Sequence, residues 1–170
     1  MLDSEMVIEE MTQYLRTVLE KPHPVFGGLP ICPFAQQARI HNKIKFFVHR
    51  FESKDLLDSS VLLTAIRQFN PTLHDVLFVI HPDKKAMSSS DLEQFVTALN
   101  HQLFPLHLTA FGGHPDDRFE IQGVQTRHDP YLNITVQSIA KLKRASELLT
   151  NTKYYDNWSP DNLKAVGYPH

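Results

Sequence analysis

Apolar residues recur at helical spacing from about residue 4 to residue 20, where Ile8, Met11, Leu15, Val18 and Leu19 share a face until Pro22 ends the run. The pattern predicts an amphipathic first helix. The run His23-Pro24-Val25-Phe26-Gly27-Gly28-Leu29-Pro30 suits no regular element and reads as a shaped loop, followed by a short helix over Gln36–Ile40. Lys43–Phe51 alternates and is rich in aromatic and branched side chains, as a half-buried strand should be. A helix over about Leu56–Phe69 follows, closed by Asn70-Pro71. Val76–Ile80 is unbroken apolar sequence, the signature of a strand covered on both faces. Ser90-Asp91-Leu92-Glu93 reads as a capping box opening a helix that carries Phe95, Val96, Leu99 and Leu103. Leu106–Phe111 and Arg118–Gln122 are expected strands. Ile134, Ile139, Leu142 and Leu149 then predict a last long helix ending near Thr150, and Ser159-Pro160 caps a short one.

This order predicts one α/β (or α+β) domain over residues 1–170, with a small, mostly parallel sheet of three to four strands covered by helices. Its parts are the first helix (4–20), a cysteine loop (22–40), the α/β core (43–150) and a C-terminal tail (151–170). Apolar residues at 42% and charged residues at 21% are globular averages. With 17 basic and 19 acidic side chains and no dense basic stripe, nucleic acid is not the expected partner, and no membrane span is indicated. Lys141, Lys143 and Arg144, the nearest thing to a basic cluster, read as a solvated helix face. A single cysteine cannot close an internal disulfide, and the N-terminus lacks the basic start of a secretory signal, so a cytoplasmic location is expected.

That cysteine, Cys32, lies in Leu29-Pro30-Ile31-Cys32-Pro33-Phe34-Ala35, where Pro33 suggests a helix start. Free N–H groups there favour a thiolate, the form that ligates metals and attacks electrophiles. Phe26, Leu29 and Phe34 stand close in sequence as apolar wall residues. Two His-Pro-Asp triplets, His81-Pro82-Asp83 and His114-Pro115-Asp116, fall at strand ends, where α/β folds place their ligands. Each is equally a good structural turn. Arg127-His128-Asp129-Pro130-Tyr131 gathers a cation, a titratable ring, a carboxylate and a phenol, with capping of the next helix as the plain alternative. Ten histidines invite a metal, yet none has zinc-site spacing, and there is no phosphate loop or dinucleotide fingerprint.

Cys32-Pro33-Phe34-Ala35, Val79-Ile80-His81-Pro82-Asp83 and His114-Pro115-Asp116 together resemble an uncharacterised bacterial family that carries a Leu-x-x-Cys-Pro-Phe-Ala motif. More distantly, the cysteine loop and the strand after it are similar to the YqcI/YcgG family of haem-dependent N-oxygenases. That resemblance implies haem b with Cys32 as its axial thiolate; Pro33, Phe34, Phe26 and Arg39, near it in sequence, are the expected cofactor-side residues. Catalytic roles would then fall to His81, His114, Arg127 and His128. It further implies an oxygenase acting on an amine or amino-acid-like small molecule, with an electron-donor protein as a partner. A homodimer is also carried as an expectation. Two other readings stand beside it: a cofactor-free enzyme using Cys32 as nucleophile or redox thiol, and a non-catalytic binding module in which Cys32 is a small buried hydrophobe.

Overall fold

In the computed structural model, which describes residues 3–169, the chain runs α1 (Ser4–Tyr14), α2 (Ala35–Ile40), β1 (Ile44–Val48), α3 (Val61–Arg67), β2 (Val76–Ile80), α4 (Ser89–Leu103), β3 (Leu108–Gly113), β4 (Glu120–Ile121), β5 (Val124–Gln125), β6 (Asn133–Ser138), α5 (Ile139–Thr150) and α6 (Pro160–Ala165). A π turn over Leu15–Leu19 prolongs α1 to the expected length. The helix expected over Leu56–Phe69 is divided: Ser53–Leu56 forms a 3-10 turn, and Ser60 starts α3 by accepting the Leu63 N–H on its hydroxyl. The cap of α4 is Ser88 with Asp91, two residues before the expected box.

Helices and a four-stranded sheet give the expected α/β or α+β class, but the sheet is not mostly parallel. Its order is β1-β2-β6-β3, with β1 and β2 parallel and β6 antiparallel to both β2 and β3. The reversal comes from residues 133–138, expected at the start of the last helix. Ile134, Thr135 and Val136 are β-branched and favour the pleat, so the segment becomes a central strand, and α5 begins only at Ile139 behind the Ser138 cap. Glu120 and Ile121 do form a strand, but in a separate hairpin with Val124–Gln125, turned by Gln122 and Gly123 at φ 47° and 84°.

Strand alternation divides the interior into two unequal halves. Leu77, Val79, Ile134, Val136, Leu108 and Ala110 face α3 and α4, where Leu62, Leu63, Ile66, Leu92, Phe95 and Leu99 close a continuous core. On the other face Val76, Phe78 and Ile80 meet Val7 and Met11 from α1 and Leu15 from the π turn that prolongs it. Beyond α1 that second face carries Thr135, Gln137 and Phe111, which line a cavity. Among the described residues, no helix is long and apolar enough to cross a membrane.

One edge of the sheet is closed by a side chain. Asn100 of α4 donates to the Ala110 carbonyl at 3.0 Å and accepts the Ala110 N–H at 2.7 Å, so β3 is tied to the helix as a further strand would tie it. Asn100→Ala leaves both backbone groups without that partner. The expected cost is about 2 kcal/mol of unfolding free energy, read by urea denaturation; a loss below about 0.5 kcal/mol would show that water replaces the amide freely.

Candidate functional site

Because the second sheet face is only partly covered by α1, a half-open cavity of about 550 Å³ remains between the sheet, the cysteine loop, α5 and the C-terminal segment. Its volume is in the range of small-molecule and cofactor sites. Cys32, Pro33 and Phe34 line it, and so do Phe26 and Arg127, which join them from other parts of the chain.

The loop that carries Cys32 is held from both sides. The Cys32 N–H donates to the Leu19 carbonyl at 3.0 Å, and His23 and Leu29 are joined by a backbone bond of the same length. The Tyr154 hydroxyl donates to the Ile31 carbonyl, and Asn157 donates to the Val25 carbonyl at 3.0 Å. Gly27, at φ 66°, permits the closest approach: a methyl group there would lie 2.5 Å from the Lys153 Cβ. Phe26 is fully buried at the centre of this junction, with Tyr154 and Trp158 ring centroids 5.3 and 6.2 Å away. The tail expected over 151–170 is therefore part of the cavity wall through Tyr154, Tyr155 and Trp158.

Cys32 is not at the mouth of a helix. Phe34 is the N-cap, and α2 spans only six residues, so little dipole reaches the sulfur. Although the residue keeps some exposed surface, burial pushes its thiol up from the ordinary value, with the Phe34 and Ala35 N–H groups pulling weakly the other way. The free thiolate expected from a helix start gives way to a neutral thiol.

Four of the other expected residues lie outside the cavity lining. Arg39 pairs with Glu20, its Nη2 2.9 Å and its Nε 2.9 and 3.1 Å from the carboxylate oxygens. His81 is buried, accepts the Asp83 N–H at 3.0 Å on Nδ1 and meets the Phe51 ring edge-on at 5.1 Å. Burial lowers its pKa. His114 is buried too, with Nδ1 accepting the Asp116 N–H at 2.9 Å and Nε2 donating to the Met87 carbonyl at 2.9 Å. Both triplets are turns whose histidine closes the loop. His128 is exposed, bridged to His114 through backbone only. Arg127 alone of the expected catalytic set reaches the cavity, its guanidinium 4.5 Å above the Phe119 ring.

Several lining groups were not anticipated. Lys141 is bound to Asp75 at 2.8 Å, while Arg144 on the same helix has no ion-pair partner among the described residues. Their i, i+3 spacing is the one sequence signal that the two share a face. Asp129 and Asn133 line the opposite end, joined by an Asn133 Nδ2 to Asp129 Oδ2 bond of 2.6 Å. The site thus combines a sulfur, broad aromatic walls and two guanidinium groups, a chemistry suited to a flat apolar molecule bearing carboxylates. Compared with protein-family models, curated proteins and solved structures, the chain matches none.

Proposed function

We propose that the chain is a haem-thiolate protein, with the macrocycle in the cavity and Cys32 as the iron's axial ligand. The observation that carries this reading is the sole thiol on the wall of a 550 Å³ aromatic cavity that also presents Arg127 and Arg144. These residues fit the group: a macrocycle brings four nitrogens of its own, so one protein sulfur completes the binding set, and guanidinium forks suit its two carboxylates. Bound haem supplies oxygen or peroxide activation, which a thiolate ligand favours by pushing electron density onto iron. Pro33 and Phe34 line the cavity beside the sulfur, and Phe26 holds that loop to the C-terminal segment. The amine or amino-acid-like substrate and the electron-donor protein rest on the resemblance of Cys32-Pro33-Phe34 to the YqcI/YcgG family.

Burial of the thiol favours a metal ligand over a free nucleophile. A nucleophile needs its proton removed in the resting protein, whereas a metal displaces the proton as it binds. Ligation therefore releases one proton. Below the raised thiol pKa, thiolate-ligated affinity should climb by about tenfold per pH unit. Titration of haemin into the full chain is expected to give a saturable Soret band at one equivalent, stronger with rising pH. Cys32→Ser should weaken binding by about 100-fold or more and move the band, with unchanged circular dichroism. No band, or one indifferent to the substitution, would overturn the reading.

A further inference from the structure

Away from the sulfur, the cavity wall carries a carboxyl group that the haem reading does not use. Asp129 stands where β2 ends and β6 begins, and the five residues of β2, about 16 Å long, separate that end from the Lys141–Asp75 pair. Asp129 comes within reach of the wall because Gly113 has no side chain: a Cβ there would lie 2.0 Å from Asp129 Oδ2 and 2.5 Å from Asn133 Nδ2. Behind it, the Tyr14 hydroxyl from α1 is buried without a hydrogen bond of good geometry among the described residues, yet close enough for each group to shift the other's titration. Asn133, itself buried, spends one N–H on the carboxylate and reaches the Tyr131 carbonyl at 3.1 Å.

We propose that Asp129, in its acid form and backed by Tyr14 and Asn133, is a second ligand-binding group of the cavity that donates a hydrogen bond to an acceptor oxygen of a planar carboxylate. With the acid neutral, Asp129 is a donor beside the Arg127 cation, in a cavity whose walls include Phe78, Phe111 and Phe119. An aromatic acid matches that set. With the acid ionised, Asp129 repels the same ligand, so binding carries a proton with it. The groups that bear on this titration are Tyr14 from α1, Asp117 from the β3–β4 connection, Arg127 from the β5–β6 connection and Asn133 from β6. Burial, first, and Asp117 push the carboxyl up; Asn133, Tyr14 and Arg127 pull it down. No histidine is among the residues lining the cavity, so none there would produce the same pH dependence.

Benzoate is the probe, titrated calorimetrically into the haem-free full-length chain. Its affinity should fall by about tenfold or more as the pH rises through a midpoint above the range where an ordinary aspartate titrates. Asp129→Asn keeps a donor but cannot ionise, so the profile flattens. Tyr14→Phe removes a contact that favours the charged form and moves the midpoint upward, a change that a purely structural tyrosine would not cause. Absence of benzoate binding, a profile that survives Asp129→Asn, or a fall confined to the ordinary carboxylate range would each overturn the proposal. Benzoate is read by calorimetry on the haem-free chain and haemin by its Soret band, so this site and the haem reading stand or fall separately.

Discussion

Phe26→Ala is expected to lower the unfolding free energy by about 4 kcal/mol, near the upper range for a buried aromatic ring. Phe26 has no exposed surface and packs against Tyr154 and Trp158, so its removal leaves a void between the cysteine loop and the C-terminal segment. Nearby polar ties cannot collapse into that space, because Tyr154 and Asn157 are already fixed to the Ile31 and Val25 carbonyls. The same void loosens the wall on which Cys32 sits, so haemin affinity should fall together with stability. Trp158 is the chain's one tryptophan, which makes its fluorescence a direct report on this junction. A loss under about 1.5 kcal/mol with unchanged Trp158 emission would mean that the loop is held elsewhere.

Gly113→Ala should be nearly as damaging, and Gly112→Ala should not. At Gly113 the added methyl meets Asp129 Oδ2 at 2.0 Å and Asn133 Nδ2 at 2.5 Å, groups bonded to each other at 2.6 Å, so one must leave. Overpacking and the lost hydrogen bond together come to about 3 kcal/mol. At Gly112 the nearest atoms belong to the Leu92 side chain at 3.2 and 3.3 Å, which can give by small rotations, and about 1 kcal/mol is expected. Thermal or urea unfolding of the two single variants checks the difference. Equal costs would show that the clearance around Asp129 is not what Gly113 provides.

How much of this was legible in the chain depended on whether a segment's fate was decided locally. Val76–Ile80 and the helix bearing Phe95, Val96 and Leu99 were readable because composition and period agreed with their surroundings. Residues 133–138 were not. Ile134 lies in helical phase with Leu142, and only the partners Leu77 and Ala110, far away in sequence, pair with Val136 to make the segment a strand. The cavity divides in the same way. Cys32, Pro33, Phe34, Phe26 and Arg127 could be singled out as residue types in an unusual local setting. Asp129 read equally as a functional carboxylate and as a helix cap, Arg144 as a solvated helix face and Trp158 as part of a tail, because what distinguishes each of them is a neighbour from another part of the chain. For His81 and His114 the missing information is also contact: each accepts a backbone N–H on Nδ1, from Asp83 and Asp116, and His114 spends Nε2 on the Met87 carbonyl, away from the cavity.

The strand order also governs how the protein is made. The central position between β2 and β3 is taken by Asn133–Ser138, so a nascent chain that stops short of these residues has two strands waiting for a neighbour not yet synthesised. One of them, Val76–Ile80, is wholly apolar and buried in the finished sheet. Completion awaits translation of residues 133–138, and the cavity, whose wall includes Tyr154 and Trp158, closes after it. Ribosome-bound fragments lacking this portion should be sticky clients of chaperones, and ligand capture should begin only once Tyr154 and Trp158 have emerged.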